Sequence, residues 1–157
     1  TGSGFTRVRE VPVPAEDILT DDVPGFLAAI SAPFLLLQSS LCLGLAAAAV
    51  DSAHPGADHT GGVFREQYDA VAASQQRLRE RLAVLAEHPG TASRRELLQL
   101  RLDAAHQAKE ATDLELMVVG GRGYVAHSGT ARRVREAAFL PVQSPTEGHL
   151  RLELQRS

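Results

Sequence analysis

The end of the chain reads LPVQSPTEGHLRLEL over residues 140–154 and places Glu147 directly before Gly148. A carboxylate on a tight turn is a group that enzymes use as a general base. The same residues also fit a helix start, with Ser144 as N-cap, Pro145 as the first helical residue and Glu147 completing a capping box. The capping box accounts for three residues and catalysis for one. A helix start is therefore the favoured interpretation of Glu147, and a catalytic carboxylate is the alternative.

The other reactive side chains favour no metal or thiol chemistry. The six histidines form no pair four residues apart and have no carboxylate at ligand spacing, so no metal site is predicted. The single cysteine, Cys42, lies within an apolar stretch, where a buried, unreactive thiol is the common case. We therefore expect neither a metal centre nor a disulfide.

Charge and hydropathy limit the classes of partner. The 157 residues carry 19 acidic and 16 basic side chains, a net charge of −3, which gives no basic field for nucleic acid or an anionic membrane. The apolar run from Pro33 to Val50 is interrupted by Gln38, Ser39 and Gly44, which favours a buried helix over a membrane span. We predict a cytoplasmic protein with no nucleic-acid or membrane partner.

The elements that must position these residues are mainly helices. Residues 1–22 alternate like a strand around Phe5, Val8 and Val11 and then contain two prolines, which predicts one extended β segment and its exit. Residues 23–157 form the second predicted domain. Its first helix begins near Pro24 and ends near Ala53, before a loop at residues 54–62.

Two more long helices and one or two short ones follow. Apolar residues at alternating steps of four and three from Phe64 to Leu85 predict an amphipathic helix that ends at residues 87–90. Ser93 and Glu96 form a capping box for a third helix, which runs to the glycines at 120–123. Residues 130–140 continue the helical pattern. The fold class is therefore all-α, an up-and-down helical bundle preceded by one β segment.

Four segments in this order resemble the C-terminal part of the acyl-CoA dehydrogenase family. They are residues 5–19, FTRVREVPVPAEDIL; residues 44–53, GLAAAAVDSA; residues 118–124, VVGGRGY; and residues 132–139, RRVREAAF. The first resembles the last strand of that family's β-domain, and the other three resemble helices and a turn of its C-terminal bundle. The resemblance covers nearly the whole chain.

The resemblance implies an FAD-dependent oxidoreductase that acts on the CH–CH group of an acyl-CoA or another acyl thioester. It assigns cofactor contacts to Gly120, Gly121, Arg122 and Thr146; for the glycines, a helix C-cap is an equally good interpretation. It also implies a homo- or hetero-oligomer with a chain that supplies the N-terminal and β-domains. This chain would then be a fragment or a split subunit.

The family's pyrophosphate motif, Arg-x-x-Phe-Gly, is expected near residues 56–66, where only Phe64 and Arg65 stand, in the opposite order. Arg65 or Arg122 could replace the missing charge, because a guanidinium suits phosphate oxygens. A solvated arginine is the favoured interpretation of each.

The usual catalytic base is absent from the aligned positions. The family's glutamate falls on Ser144, and the position used by members with the base on the first helix falls on Phe34. Glu147 reaches the signature position only if three residues are inserted, and it is the one catalytic candidate. Two alternatives therefore stay open: a flavin-dependent oxygenase of the same fold, which needs no α-proton base, and a non-catalytic helical domain that builds an oligomer.

Overall fold

The computed structural model describes residues 4–59 and 61–157. It contains five α-helices: α1, Val23–Ala57; α2, Arg65–Glu87; α3, Arg94–Val119; α4, Gly129–Phe139; and α5, Glu147–Arg156. The predicted all-helical class is confirmed. By contacts the chain divides into two compact units, Thr1–Ile30 and Ser31–Ser157.

The first unit contains no strand in its described part. From Gly4 to Asp22 the backbone is irregular except for a 3₁₀ turn at Ala15–Asp17. A β-strand needs a neighbouring strand for its hydrogen bonds, and the described residues supply none. The predicted β segment is therefore not formed among residues 4–22, and residues 1–3 of that prediction lie outside the described part.

Helix α1 is longer than predicted. The expected loop begins at His54, but the helix continues through Pro55 to Ala57. Ala53 and Ala57 are fully buried, so packing of the last turn outweighs the proline that it contains. The loop therefore begins after Ala57, and Thr60 within it lies outside the described residues.

Helices α2 and α3 follow the sequence pattern closely. Tyr68, Val71 and Gln75 of α2 are buried, and the Gln75 side-chain amide donates to the Leu43 carbonyl of α1 at 2.7 Å. The capping box at Ser93 and Glu96 is confirmed: the Ser93 hydroxyl accepts from the Glu96 amide, and the Glu96 carboxylate accepts from the Ser93 amide.

Helix α3 is the central element of the second unit. Its buried residues pack in two apolar clusters, one with α1 and α2 around Ala46, Val71 and Ala108, the other with α1 and α5 around Leu36, Leu98 and Leu150. Alanines dominate the first cluster and leucines the second.

A buried carboxylate joins α3 to α4. The Glu115 side chain is fully buried and accepts hydrogen bonds from Arg133 Nε at 2.8 Å, from Arg133 Nη2, and from the Thr130 hydroxyl at 2.6 Å. Burial alone would raise the pKa of Glu115, but bonds from Arg133, Thr130 and Ser52 hold it below its ordinary value. Glu115 is therefore ionised in the folded protein at neutral pH.

Arg133→Met should destabilise the protein by about 3–5 kcal/mol, because it leaves a buried carboxylate without its counter-charge. Arg132→Met is the matched control: Arg132 is 72% exposed and pairs only with Glu136, also exposed, so its loss should cost less than about 1 kcal/mol. Urea unfolding at pH 7 measures both. Equal losses for the two variants would contradict the structure.

The pH dependence follows from the same pair. Because the folded pKa of Glu115 is lowered, its contribution is complete above the ordinary glutamate pKa and is lost as the pH falls through the folded pKa. In Glu115→Gln the unfolding free energy should lack this acid-side decline. A decline as steep as that of the unmodified chain would show that Glu115 does not cause it.

Candidate functional site

The glycine turn that follows α3 has two glycines with structural roles. Gly120 adopts φ +68° and ends the helix, and its amide donates to the Leu116 carbonyl. A Cβ on Gly123 would lie 2.9 Å from Thr130 Cγ2, so Gly123 lets the turn pack against α4. A Cβ on Gly121 would have no neighbour within 4 Å. Of the three, only Gly121 has no such reason in the fold to be glycine.

A small apolar pocket lies beside this turn. It has a volume of about 280 Å³, and Tyr124, which contributes to its lining, is 81% exposed. The other lining residues are Leu116, Gly123, Ala131, Val134 and Arg135. Arg122 is exposed on the same turn. The turn therefore offers open backbone at Gly121, one solvent-facing cation and an aromatic ring.

Glu147 lies at the start of α5, but the capping box predicted for it is wrong. Thr146 is the N-cap, and its hydroxyl accepts from the His149 amide at 3.2 Å. The Glu147 amide donates to the Pro141 carbonyl at 2.9 Å, and the Ser144 carbonyl accepts from α1. Residues 141–146 therefore form a turn that is held by contacts with distant residues. The N-cap of α5 is Thr146, two residues after the predicted N-cap Ser144.

The Glu147 carboxylate is held by Arg151 and by His106. It accepts from Arg151 Nε at 2.8 Å and from Arg151 Nη2 at 2.7 Å, and His106 Nε2 lies 3.3 Å away. The bonds from Arg151, and after them the contact with His106, hold the pKa of Glu147 below its ordinary value. A carboxylate with a lowered pKa is a weaker base.

The predicted site residues fall into two groups that this chain does not bring together. Glu147 and Thr146 lie beside His106, in the middle of α3, whereas Gly120, Gly121 and Arg122 follow its C-terminal end. Fourteen residues separate His106 from Gly120, about 21 Å along an α-helix. A single small ligand cannot contact both groups.

The two aligned base positions, in contrast, lie close together. Gln38 of α1 donates from Nε2 to the Ser144 carbonyl at 2.6 Å across 106 residues of sequence. Phe34 precedes Gln38 by four residues, so both lie on one side of the helix, about one turn apart. Ser144 is exposed and Phe34 is 43% exposed. Ser144 is therefore bonded to α1 about one helical turn from Phe34.

Sequence reasoning missed the polar cluster beneath this area. Arg101 of α3 is fully buried, and its Nε donates to Gln38 Oε1 at 3.2 Å. Its Nη1 and Nη2 atoms have no hydrogen-bond partner among the described residues. An arginine on an otherwise apolar helix face, four residues after Leu97, was the available signal.

The remaining candidate residues make no contact that indicates a functional site. Arg65, proposed as a phosphate ligand, lies 3.1 Å from Asp58 and 3.4 Å from Asp69. Cys42 is buried, and burial raises the pKa of its thiol. Among residues 4–59 and 61–157, no group of three metal-ligating side chains occurs. Helix α1 is long and apolar enough to cross a membrane, and the core helix of a soluble protein satisfies the same criterion.

Comparison with protein-family models, with curated proteins and with solved structures found no match.

Thr146→Ala should lower the unfolding free energy by about 1 kcal/mol, because it removes the oxygen that caps α5. Ser144→Ala is the matched control and should change it by less than about 0.5 kcal/mol, since only the Ser144 main chain takes part in the turn. Thermal unfolding of the two variants measures these losses and shows which of the two residues caps α5. A larger loss of unfolding free energy for Ser144→Ala than for Thr146→Ala would show that Ser144, and not Thr146, caps α5.

Proposed function

We propose that this chain is the C-terminal helical part of an FAD-dependent, acyl-CoA dehydrogenase-like flavoprotein. It acts on an acyl thioester together with a chain that supplies the N-terminal and β-domains. The flavin accepts a hydride when bound. The residues of this chain form one wall of the substrate site and one cofactor contact.

The contact between Gln38 and Ser144 carries the proposal. The resemblance assigns alternative positions for one catalytic base to Phe34 and Ser144, 110 residues apart in sequence. Two positions that serve the same substrate atom must lie near each other in space. The bond from Gln38 to the Ser144 carbonyl, about one helical turn from Phe34, supports the alignment at both positions.

An exposed apolar face on α1 supports a second chain or domain on this surface. Phe34, Leu37 and Leu41 are 43%, 60% and 61% exposed, and they repeat at steps of three and four. No charged residue occurs between Val23 and Val50. Contiguous apolar surface of this kind is typical of an interaction site.

The glycine turn fits an FAD contact. Gly121 leaves backbone open to a ligand, and Arg122 and Arg135 provide cations near it. Because the turn lies about 21 Å along α3 from His106 and Glu147, it would hold a part of the cofactor remote from that carboxylate, or the cofactor of a neighbouring subunit.

A flavin-dependent oxygenase of the same fold is the second candidate. Ser144 and Phe34 supply no carboxylate, and Glu147 is ion-paired with a lowered pKa. An oxygenase reaction needs no α-proton base, so this set of residues suits it. A non-catalytic oligomerisation domain is the third candidate function, and only the exposed apolar face of α1 supports it.

The experiment isolates the tagged chain with its native partner and records flavin absorbance and native mass. Bound FAD in the complex is expected. Gly121→Ala should lower FAD occupancy while leaving thermal stability unchanged, because an added methyl group has room in the fold. Colourless material in every assembly would exclude both flavoprotein candidates and leave the oligomerisation domain.

The same complex separates the dehydrogenase from the oxygenase. With an acyl-CoA in deuterated water, α-proton exchange that Glu147→Gln abolishes would identify Glu147 as the base of a dehydrogenase. Exchange absent in the unmodified complex but gained in both Ser144→Glu and Phe34→Glu would indicate an oxygenase-like site with the family's geometry. Gain in neither variant would contradict the shared position.

A further inference from the structure

Arg101 is the most anomalous side chain in the second unit. Its guanidinium is fully buried between α1 and α3, and only Nε has a partner, the neutral amide of Gln38. No carboxylate among the described residues forms an ion pair with it. A buried charge without a counter-ion is strongly unfavourable, so its retention calls for a physical reason.

The two unsatisfied nitrogens have a defined chemistry. Nη1 and Nη2 are the fork with which arginine binds the two oxygens of a carboxylate or phosphate. Both atoms are buried from solvent, so a ligand has no room beside them while the helices are packed in this way. Binding therefore requires one packed element to move.

Helix α5 has few buried attachments to the rest of the second unit. Leu150 is its only buried residue, whereas α4 is anchored by the buried Glu115–Arg133 pair. Leu154 packs partly buried against the same cluster as Leu150. The other ties of α5 to α3 are polar: Arg94 to Glu153 at 2.9 Å, Arg95 to the Leu154 carbonyl at 2.9 Å, and His106 to Glu147 at 3.3 Å. Such polar surface contacts contribute little to stability.

Helix α5 also lies over the turn of α3 that bears Arg101. Leu150 packs in one cluster with Leu97, Leu98 and Leu102. Leu97 and Leu98 lie four and three residues before Arg101, on its side of α3. The residue two before the α5 cap, Ser144, is joined to Arg101 through Gln38. Displacement of α5 with residues 141–146 would expose this face of α3.

We propose that Arg101 is the anchor of a latent oxyanion site, which opens when α5 moves away and takes a small carboxylate or phosphate group. The closed state leaves the guanidinium unpaired. An oxyanion can pair with Nη1 and Nη2 only in the open state. Its binding therefore favours the open state by the difference between its binding free energies for the open and the closed states. Arg101 lies 19 residues before Gly120, about 28 Å along α3, so the oxyanion site is separate from the cofactor contact proposed at the glycine turn.

The experiment titrates the 157-residue chain with sodium acetate and, separately, with inorganic phosphate, at an ionic strength held constant with sodium chloride. NMR reports the saturation of binding, and hydrogen exchange reports the opening of residues 147–157. Saturable binding of at least one oxyanion with faster exchange in α5 is expected. The tighter binding of the two, acetate or phosphate, identifies whether the site prefers a carboxylate or a phosphate group.

Arg101→Met should abolish the saturable response, while Arg122→Met, which removes an exposed arginine, should retain it. Leu150→Ala loosens the closed state and should tighten the oxyanion affinity about tenfold or more. If that variant does not fold, Glu153→Gln removes the tie to Arg94 and should tighten it several-fold. A response that survives Arg101→Met, or an affinity unchanged by loosening α5, would overturn the proposal.

Discussion

The buried carboxylate of Glu115 is the interaction on which the rest of the second unit depends. It lies five residues before the glycine turn, and its partners, Thr130 and Arg133, lie beyond that turn. The hydrogen bonds of Glu115 therefore join the residues before the turn at Gly120–Tyr124 to the residues after it. The close packing of Gly123 against Thr130 follows from the same contact. The ion pair therefore adds to the Gly120–Leu116 hydrogen bond in fixing the turn against α3 and α4.

The other buried charge of α3 lies near its opposite end and is treated differently. Glu115 receives donors from α4, whereas Arg101 has one bond to Gln38 and two free nitrogens. Gln38 in turn holds the Ser144 carbonyl, so the chain before α5 takes its position from the same polar cluster. Helix α3 thus carries a satisfied charge beside the glycine turn and an unsatisfied one beneath the Phe34 and Ser144 surface.

The sequence predicts those parts of the fold that local chemistry decides. The capping box at Ser93 and the apolar face of α2 involve residues within one or two turns of each other, and both are confirmed. The box at Ser144 failed because its carbonyl is held by Gln38, 106 residues away, and the Glu147 amide by Pro141. The helix at His54 was missed because buried alanines on its last turn outweigh Pro55.

The candidate site was only partly accessible to sequence reasoning for the same reason. The family resemblance could name Ser144, Phe34 and the glycines, but it could not show that Gly121 alone is free of a role in folding. Gln38 and Arg101 are 63 residues apart, and no local pattern joins them. Glu147 could be named, but its pairing with His106 depends on where α5 docks on α3.

The contact that joins Gln38 to Ser144 supports the alignment, the proposed substrate surface and the position of α5. The most direct measurement is a nuclear Overhauser spectrum of the isolated chain with the Gln38 side-chain amide assigned. The account predicts cross-peaks from these amide protons to Ser144 or Pro145, given the 2.6 Å bond. Their absence, with the α1 and α5 resonances otherwise helical, would contradict it.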